Sequence, residues 1–282
     1  MESIGLPDWF WLTVLFLFGL VFGSFGNVVI WRLPRNESLS SPPSHCPKCD
    51  TPIRWYDNVP VLSWLVLGGK CRNCGESISP RYPAVELLCG ILWVCAGWRF
   101  GQTATALAAA LFFYLLVLLA FIDWDTMRLP NSLVALVFGT GLAGAVVSQF
   151  AGVQVTPLLV SGTGGALSEP LVSALAGAAS AAGVVLLIGL AYSAIRGGQG
   201  YGMGDVKLLA AMGVYLGLYS LMALFIGTLV GAVYGVIAAR RAGAGGRHRF
   251  AFGPFLAMGG VIAALAGPAI WAWYAGLAHI GL

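Results

Sequence analysis

The chain has 282 residues, 59% of them hydrophobic and 9% charged, with a mean hydropathy of +0.85. Soluble domains carry about 25% charged residues, so an ordinary soluble fold is excluded and a polytopic, all-α membrane protein is expected. The net charge of +4 is modest and unevenly placed, and no basic stripe interleaved with aromatics is present, which argues against a nucleic-acid partner.

Met1 to Asp8 carries Glu2 and Asp8 but no basic residue. A secretory signal needs a positive n-region, so the first apolar run is expected to stay as an anchor. That run, Trp9 to Ile30, has 22 uncharged residues, enough to cross roughly 30 Å of hydrocarbon. It ends in Gly23-Ser24-Phe25-Gly26-Asn27-Val28, followed by Trp31-Arg32-Leu33-Pro34; its small residues permit close helix approach and Asn27 needs a polar partner.

Residues 32–82 form the one long polar segment and hold seven of the 15 Lys and Arg residues. So short a segment makes a poor core unaided. Cys46-Pro47-Lys48-Cys49 and Cys71-Arg72-Asn73-Cys74, with 21 residues between the pairs, supply the remedy. Two Cys-x-x-Cys pairs make a tetrahedral zinc site, and four thiolates close its coordination shell, so the expected role is structural. A redox-active dithiol and unligated thiols are the alternatives. His45 reads as a neighbour of this site rather than a ligand, and Cys89 and Cys95 lie in an apolar run.

Further spans are expected over Pro83 to Trp98, which contains Glu86 near the membrane boundary, and over Thr103 to Ile122. Asp123-Trp124-Asp125-Thr126-Met127-Arg128-Leu129-Pro130-Asn131 follows at a helix end, and Pro130 opens the next span, Ser132 to Phe150. Ala151 to Pro170 reads as a loop and Leu171 to Ile195 as a fifth span. Gly202-Met203-Gly204-Asp205-Val206-Lys207 then carries an acid into an apolar run of 34 residues, Val206 to Ala239, whose one charge is Lys207. At about 51 Å of helix, that run is long for one crossing and short for two; two abbreviated helices turning near Gly217 to Ser220 are expected. Phe252 to Ala278 makes an eighth span, and His279 in the tail is expected to be exposed and without function.

Eight spans beginning outside place 14 of the 15 basic residues in cytoplasmic loops, leaving only Arg99 outside. Both termini then face the periplasm. The cysteine loop, the Asp123 segment and the Asp205 motif share the cytoplasmic side. The expected organisation is a first transmembrane helix over 1–31, a cytoplasmic zinc-binding loop over 32–82 and a seven-helix membrane core over 83–282.

Two carboxylates meeting at a membrane face cannot easily both ionise, so they share a proton. One can then act as general base on water while the other protonates a scissile carbonyl. The candidates are Asp205 with Asp123 or Asp125. The same pairing could form a proton or cation pathway in a transporter, and a purely structural Asp is a third reading.

Taken together, Gly23 to Val28 with Arg32-Leu33-Pro34, the paired Cys-x-x-Cys loop, Ser79-Pro80-Arg81-Tyr82-Pro83 with Glu86, Asp123-Trp124-Asp125 and Gly202 to Lys207 resemble the type IV prepilin peptidases, the bacterial GxGD intramembrane aspartic proteases that also methylate. The resemblance runs from about Gly19 to Leu209 and more weakly to the end. It implies an inner-membrane enzyme that removes the leader of prepilins or pseudopilins, in type IV pilus or type II secretion systems, after a glycine, and N-methylates the new terminus with S-adenosylmethionine. It also implies Asp123 and Asp205 as the catalytic pair, with Asp125 demoted. Leu129-Pro130-Asn131 departs from the family, where Pro-Asp is usual.

Overall fold

The computed structural model describes residues 5–159, 165–196, 202–241 and 250–277. Among these the chain is helical, with two isolated β-bridges and no strand. The long helices are α1 Asp8–Arg32, α3 Arg81–Phe100, α4 Ala104–Thr126, α5 Asn131–Ala151, α6 Pro170–Arg196, α7 Met203–Leu216, α8 Ser220–Arg241 and α9 Gly253–Leu277; α2 Leu62–Val66 is a short turn of helix in the polar segment. Counting the apolar stretch Met203–Arg241 once, seven stretches among the described residues are long and apolar enough to cross a membrane. The tail with His279 and the basic stretch Arg247-His248-Arg249 lie outside the described residues.

The chain forms two compact units, residues 1–118 and 119–282. In the first, α1 packs along α3. The contact rests on missing side chains: a Cβ on Gly19 would stand 2.7 Å from the Cα of Gly90, and one on Gly23 would stand 2.7 Å from the Cα of Glu86. Between helices in lipid, such close backbone approach supplies the dispersion contact that hydrophobicity cannot. Asn27 finds its partner here, its Nδ2 donating to the carbonyl of Tyr82 at 3.1 Å. Arg32 leaves the helix end to donate to the carbonyls of Ser38 and Pro42, while Arg35 stacks on the Trp31 ring.

In the second unit α7 is the hub, packing against α5, α6, α8 and α9. The chain turns at Gly217–Tyr219 as expected, but only one of the two helices there is abbreviated: α7 has 14 residues and α8 has 22. At 1.5 Å per residue α7 spans about 21 Å, short of a bilayer's hydrocarbon. The segment after α5 compensates. Rather than standing away as a loop, it buries Thr156, Leu158 and Leu159, and the Leu158 N–H donates to the Tyr215 carbonyl at the end of α7. Ser148 Oγ accepts from the N–H groups of Val155 and Thr156, and Thr156 Oγ1 donates to the Gly141 carbonyl. Irregular backbone is tolerated at such depth only when protein satisfies it in this way.

Helices α6 and α7 touch backbone to backbone. A Cβ on Gly213 would fall 2.3 Å from the Gly177 oxygen, and one on Gly177 would fall 2.4 Å from the Gly213 oxygen. A Gly213→Val protein is therefore expected to melt well below the parent in detergent, because overpacking costs about 1–3 kcal/mol and no flexible side chain can give way here. Gly183→Ala, in open space on α6, should leave the melting temperature unchanged or raise it slightly.

Candidate active site

Helix α4 ends one turn after Asp123. The Met127 N–H closes on the Asp123 carbonyl at 2.8 Å with Met127 in the left-handed region at φ 51°, and Thr126 Oγ1 bonds back to the Ile122 carbonyl. This termination sorts the two neighbouring acids. Asp123 points inward at 6% exposure, whereas Asp125 is exposed.

Asp205 lies in the first turn of α7, three residues after the capping Gly202, whose carbonyl accepts the Asp205 N–H at 3.0 Å. Its carboxylate folds back so far that a Cβ on Gly202 would lie 3.2 Å from Oδ2. Gly204 faces Leu129 at ordinary contact distance. Asp205 is half-buried and lies close enough to Asp123 for the charge of one to act on the other. Both acids belong to the second unit. Lys207 turns away from them, its Nζ donating to Asn131 Oδ1 at 3.1 Å, so the position that departs from the Pro-Asp pattern ties the starts of α7 and α5 together.

One participant has no signature in the sequence. The backbone N–H of Gly253, the first residue of α9, donates to Asp123 Oδ2 at 2.8 Å. Phe252, Gly253 and Pro254 read in the sequence only as the start of a span.

In the first unit the four cysteines converge. Their sulfurs all lie within 4.8 Å of one another, and Cys46 Sγ is 3.8 Å from Cys74 Sγ. A tetrahedron with 2.3 Å zinc–sulfur bonds has sulfur–sulfur edges of roughly 3.8 Å, so the donor set fits such an ion. The two turns are copies of each other, 25 positions apart. The Cys46 N–H donates to the Thr51 carbonyl and the Asp50 N–H to that of Cys46; the Cys71 N–H donates to the Glu76 carbonyl and the Gly75 N–H to that of Cys71. Asp50 and Gly75 both take positive φ, at 52° and 71°. Flanking bridges pair His45 with Pro52 and Lys70 with Ser77. The repeat of His45-Cys-Pro-Lys-Cys-Asp-Thr-Pro-Ile53 in Lys70-Cys-Arg-Asn-Cys-Gly-Glu-Ser-Ile78 is visible in the sequence once aligned on the cysteines.

Hydrogen bonding with Thr51 and then Asn73 holds the Cys49 thiol down to about 6. Arg72, inside the second turn, grips Asp57 with Nε and Nη2 at 2.6 to 3.1 Å. That grip holds the Asp57 carboxyl below the usual carboxylate range. His45 is exposed and its Nδ1 pairs with the Pro43 carbonyl.

Glu86 joins this loop to the helices. It is buried, bonds Ser24 of α1 and accepts the Val61 N–H at 2.8 Å. Val61 sits at φ 61°, ψ −50°, and the Leu62 N–H reaches back to the Pro60 carbonyl at 2.6 Å. This is the strained γ-turn, rare for any residue and costly for a β-branched one. Beside it lies a cavity of about 390 Å³ lined by Ser24, Phe25, Arg32, Ser44, Asn58 and Pro60, among others.

Two family models match the chain: the bacterial peptidase A24 N-terminal domain over residues 17–100 and the type IV leader peptidase family over residues 110–236. The chain is 36% identical to a prepilin leader peptidase/N-methyltransferase of Aeromonas salmonicida (strain A449), covering 96% of this chain and 95% of that protein. Proteins of the same description from Neisseria gonorrhoeae and Bacillus subtilis (strain 168) are each 34% identical, over 96% and 93% of this chain and 96% and 97% of their own lengths. No solved structure matches the chain at the same standard.

Proposed function

The chain belongs to the type IV leader peptidase family, and from that membership we propose that Asp123 and Asp205 are the catalytic pair of a prepilin leader peptidase that also N-methylates its product. The observation that carries the reading is one buried and one half-buried carboxyl, 82 positions apart in the chain, within electrostatic reach of each other. No such convergence is needed for a structural acid at a helix end. The relatives' descriptions disfavour a transporter.

The chemistry follows from one shared proton. The ionised carboxylate takes a proton from water as the water oxygen attacks the scissile carbonyl carbon, and the protonated partner gives its proton to the carbonyl oxygen. When the tetrahedral intermediate collapses, the carbon–nitrogen bond breaks. The leaving amine takes the proton from the first carboxyl, and the second recovers its own from the intermediate's hydroxyl. The pair ends in its starting state.

The substrate is a prepilin or pseudopilin, cut after the glycine that ends its leader. Its basic leader stays on the cytoplasmic side of the inner membrane, close to the exposed Asp125, and its apolar helix remains in the lipid. The cysteine loop over 32–82 holds zinc through Cys46, Cys49, Cys71 and Cys74 as a structural ion.

S-adenosylmethionine would supply an electrophilic methyl group to the new terminal amine. With both acids in residues 119–282, the second activity falls to the first unit, where the cavity beside Val61 has a volume in the range of small-molecule sites, about 300–1,000 Å³. Ser24, Ser44 and Asn58 offer polar groups there, Phe25 offers a ring face, and Arg32 shapes the wall through Ser38 and Pro42. These residues would hold the donor. Intact-mass spectrometry of a prepilin incubated with the purified protein and S-adenosylmethionine tests the whole reading. It should lose the leader and gain one methyl group, and an unchanged prepilin mass would overturn it.

A further inference from the structure

We infer that the backbone N–H of Gly253 divides the labour within the acid pair, holding Asp123 as the ionised base and leaving Asp205 as the protonated acid. This rests on the reading that the two form the catalytic pair. A hydrogen bond to the charged form of an acid favours that form, and this one is 2.8 Å long between buried groups 130 positions apart.

The donors at the start of α9 leave this amide for Asp123. Pro254 has no N–H to offer. The N–H groups of Phe255 and Leu256 are both taken by the Phe252 carbonyl, at 3.1 and 3.2 Å. Gly253 therefore holds the one free donor of the turn, and it is given to Asp123.

Only glycine permits the approach. A Cβ at position 253 would stand 2.8 Å from Oδ2, 3.1 Å from Cγ and 3.2 Å from Cβ of Asp123. The residues on either side are pinned to α8: Tyr234 meets Phe250 at 5.8 Å and Phe255 at 5.1 Å between ring centroids, and also meets Trp124 at 5.9 Å. The amide is thus a fixed donor rather than a passing contact.

Among the described residues Asp205 has no equivalent, and no donor reaches its carboxylate. The positive end of α7 favours charge there too, but as a diffuse field rather than a directed bond. The other titratable groups around Asp123 do not alter the assignment. Asp125 is exposed at the same helix end, Tyr234 of α8 stands behind Trp124, Lys207 is engaged with Asn131, and the first turn of α9 has no titratable side chain.

The test replaces Gly253 in the full-length protein with its α-hydroxy analogue, exchanging the N–H for an ester oxygen without adding an atom that could clash. The readout is the pH dependence of kcat/KM on a prepilin peptide. The acid limb, which reports ionisation of the base, should move to higher pH by roughly one unit or more, since a bond to a charged acceptor is worth about that much, while the basic limb stays in place. Gly253→Ala should lose activity at every pH. An unmoved acid limb, or movement of the basic limb alone, in an ester protein that melts like the parent would overturn the inference. Asp123→Asn on the ordinary backbone separates the two failures. If it cleaves, the catalytic pair and this inference fall together; if it is inactive while the ester protein's profile is unchanged, the inference alone falls.

Discussion

Asp123→Asn and Asp205→Asn are each expected to lower leader removal by roughly 10⁴-fold, the upper range for loss of a general acid or base, without lowering the yield of folded protein in the membrane. Asparagine keeps the shape of the side chain, and its carbonyl oxygen can still accept the Gly253 amide at position 123. What it would remove is the ability to carry the proton that the proposed pair shares. Asp125→Asn is the matched control: that acid is exposed and outside the buried contact with Gly253, so it should retain most activity. Cleavage rates on a prepilin peptide, with thermal melting in detergent as the folding check, decide among the three. Full activity in either of the first two would remove that residue from the pair.

Cys46→Ser is expected to have the next largest effect, on the loop rather than on the membrane helices. Bound metal should fall from about one equivalent to near zero, and residues 43–75 should become open to protease while the helical far-UV signal stays. The reason is the small size of this segment. Its order depends on two matched turns, the Asp57–Arg72 pair and the Glu86 bond to a strained Val61, and none of these buries much apolar surface. Apparent zinc-binding free energies of about 10–16 kcal/mol in small cysteine-rich peptides far exceed what such contacts supply. Chelation should reproduce the mutant's protease pattern in the parent. Elemental analysis finding no zinc in carefully purified parent protein, or a Cys46→Ser loop that resists protease like the parent's, would contradict the structural ion.

Much of this was legible in the residues. Charge-free runs of about 20 residues have few options in lipid, and the glycines around Gly217 marked the turn between α7 and α8 because an overlong run had to break somewhere. The cysteines and the two acids were visible because their chemistry is costly to bury and so stands out against an apolar background. The parts not legible there depend on backbone or on distant pairing. Gly253 acts through an amide every non-proline residue possesses, and nothing in Phe252-Gly253-Pro254 says that an acid 130 positions earlier will receive it. The inward fold of residues 153–159 follows from the shortness of α7, which a count of apolar residues cannot apportion between two joined helices. Glu86 was readable as a boundary acid, but its partner, a γ-turn amide at Val61, was not.

The proposed role of Asp205 is to work only with Asp123 in cutting a prepilin leader. The most direct measurement is mass spectrometry of one prepilin incubated in parallel with the parent protein and with Asp123→Asn, Asp205→Asn and the double variant. A leaderless product is expected from the parent and none above background from the other three, the double variant being no worse than either single one. Leaderless product from either single variant at the parent's rate, or from none of the four, would contradict it.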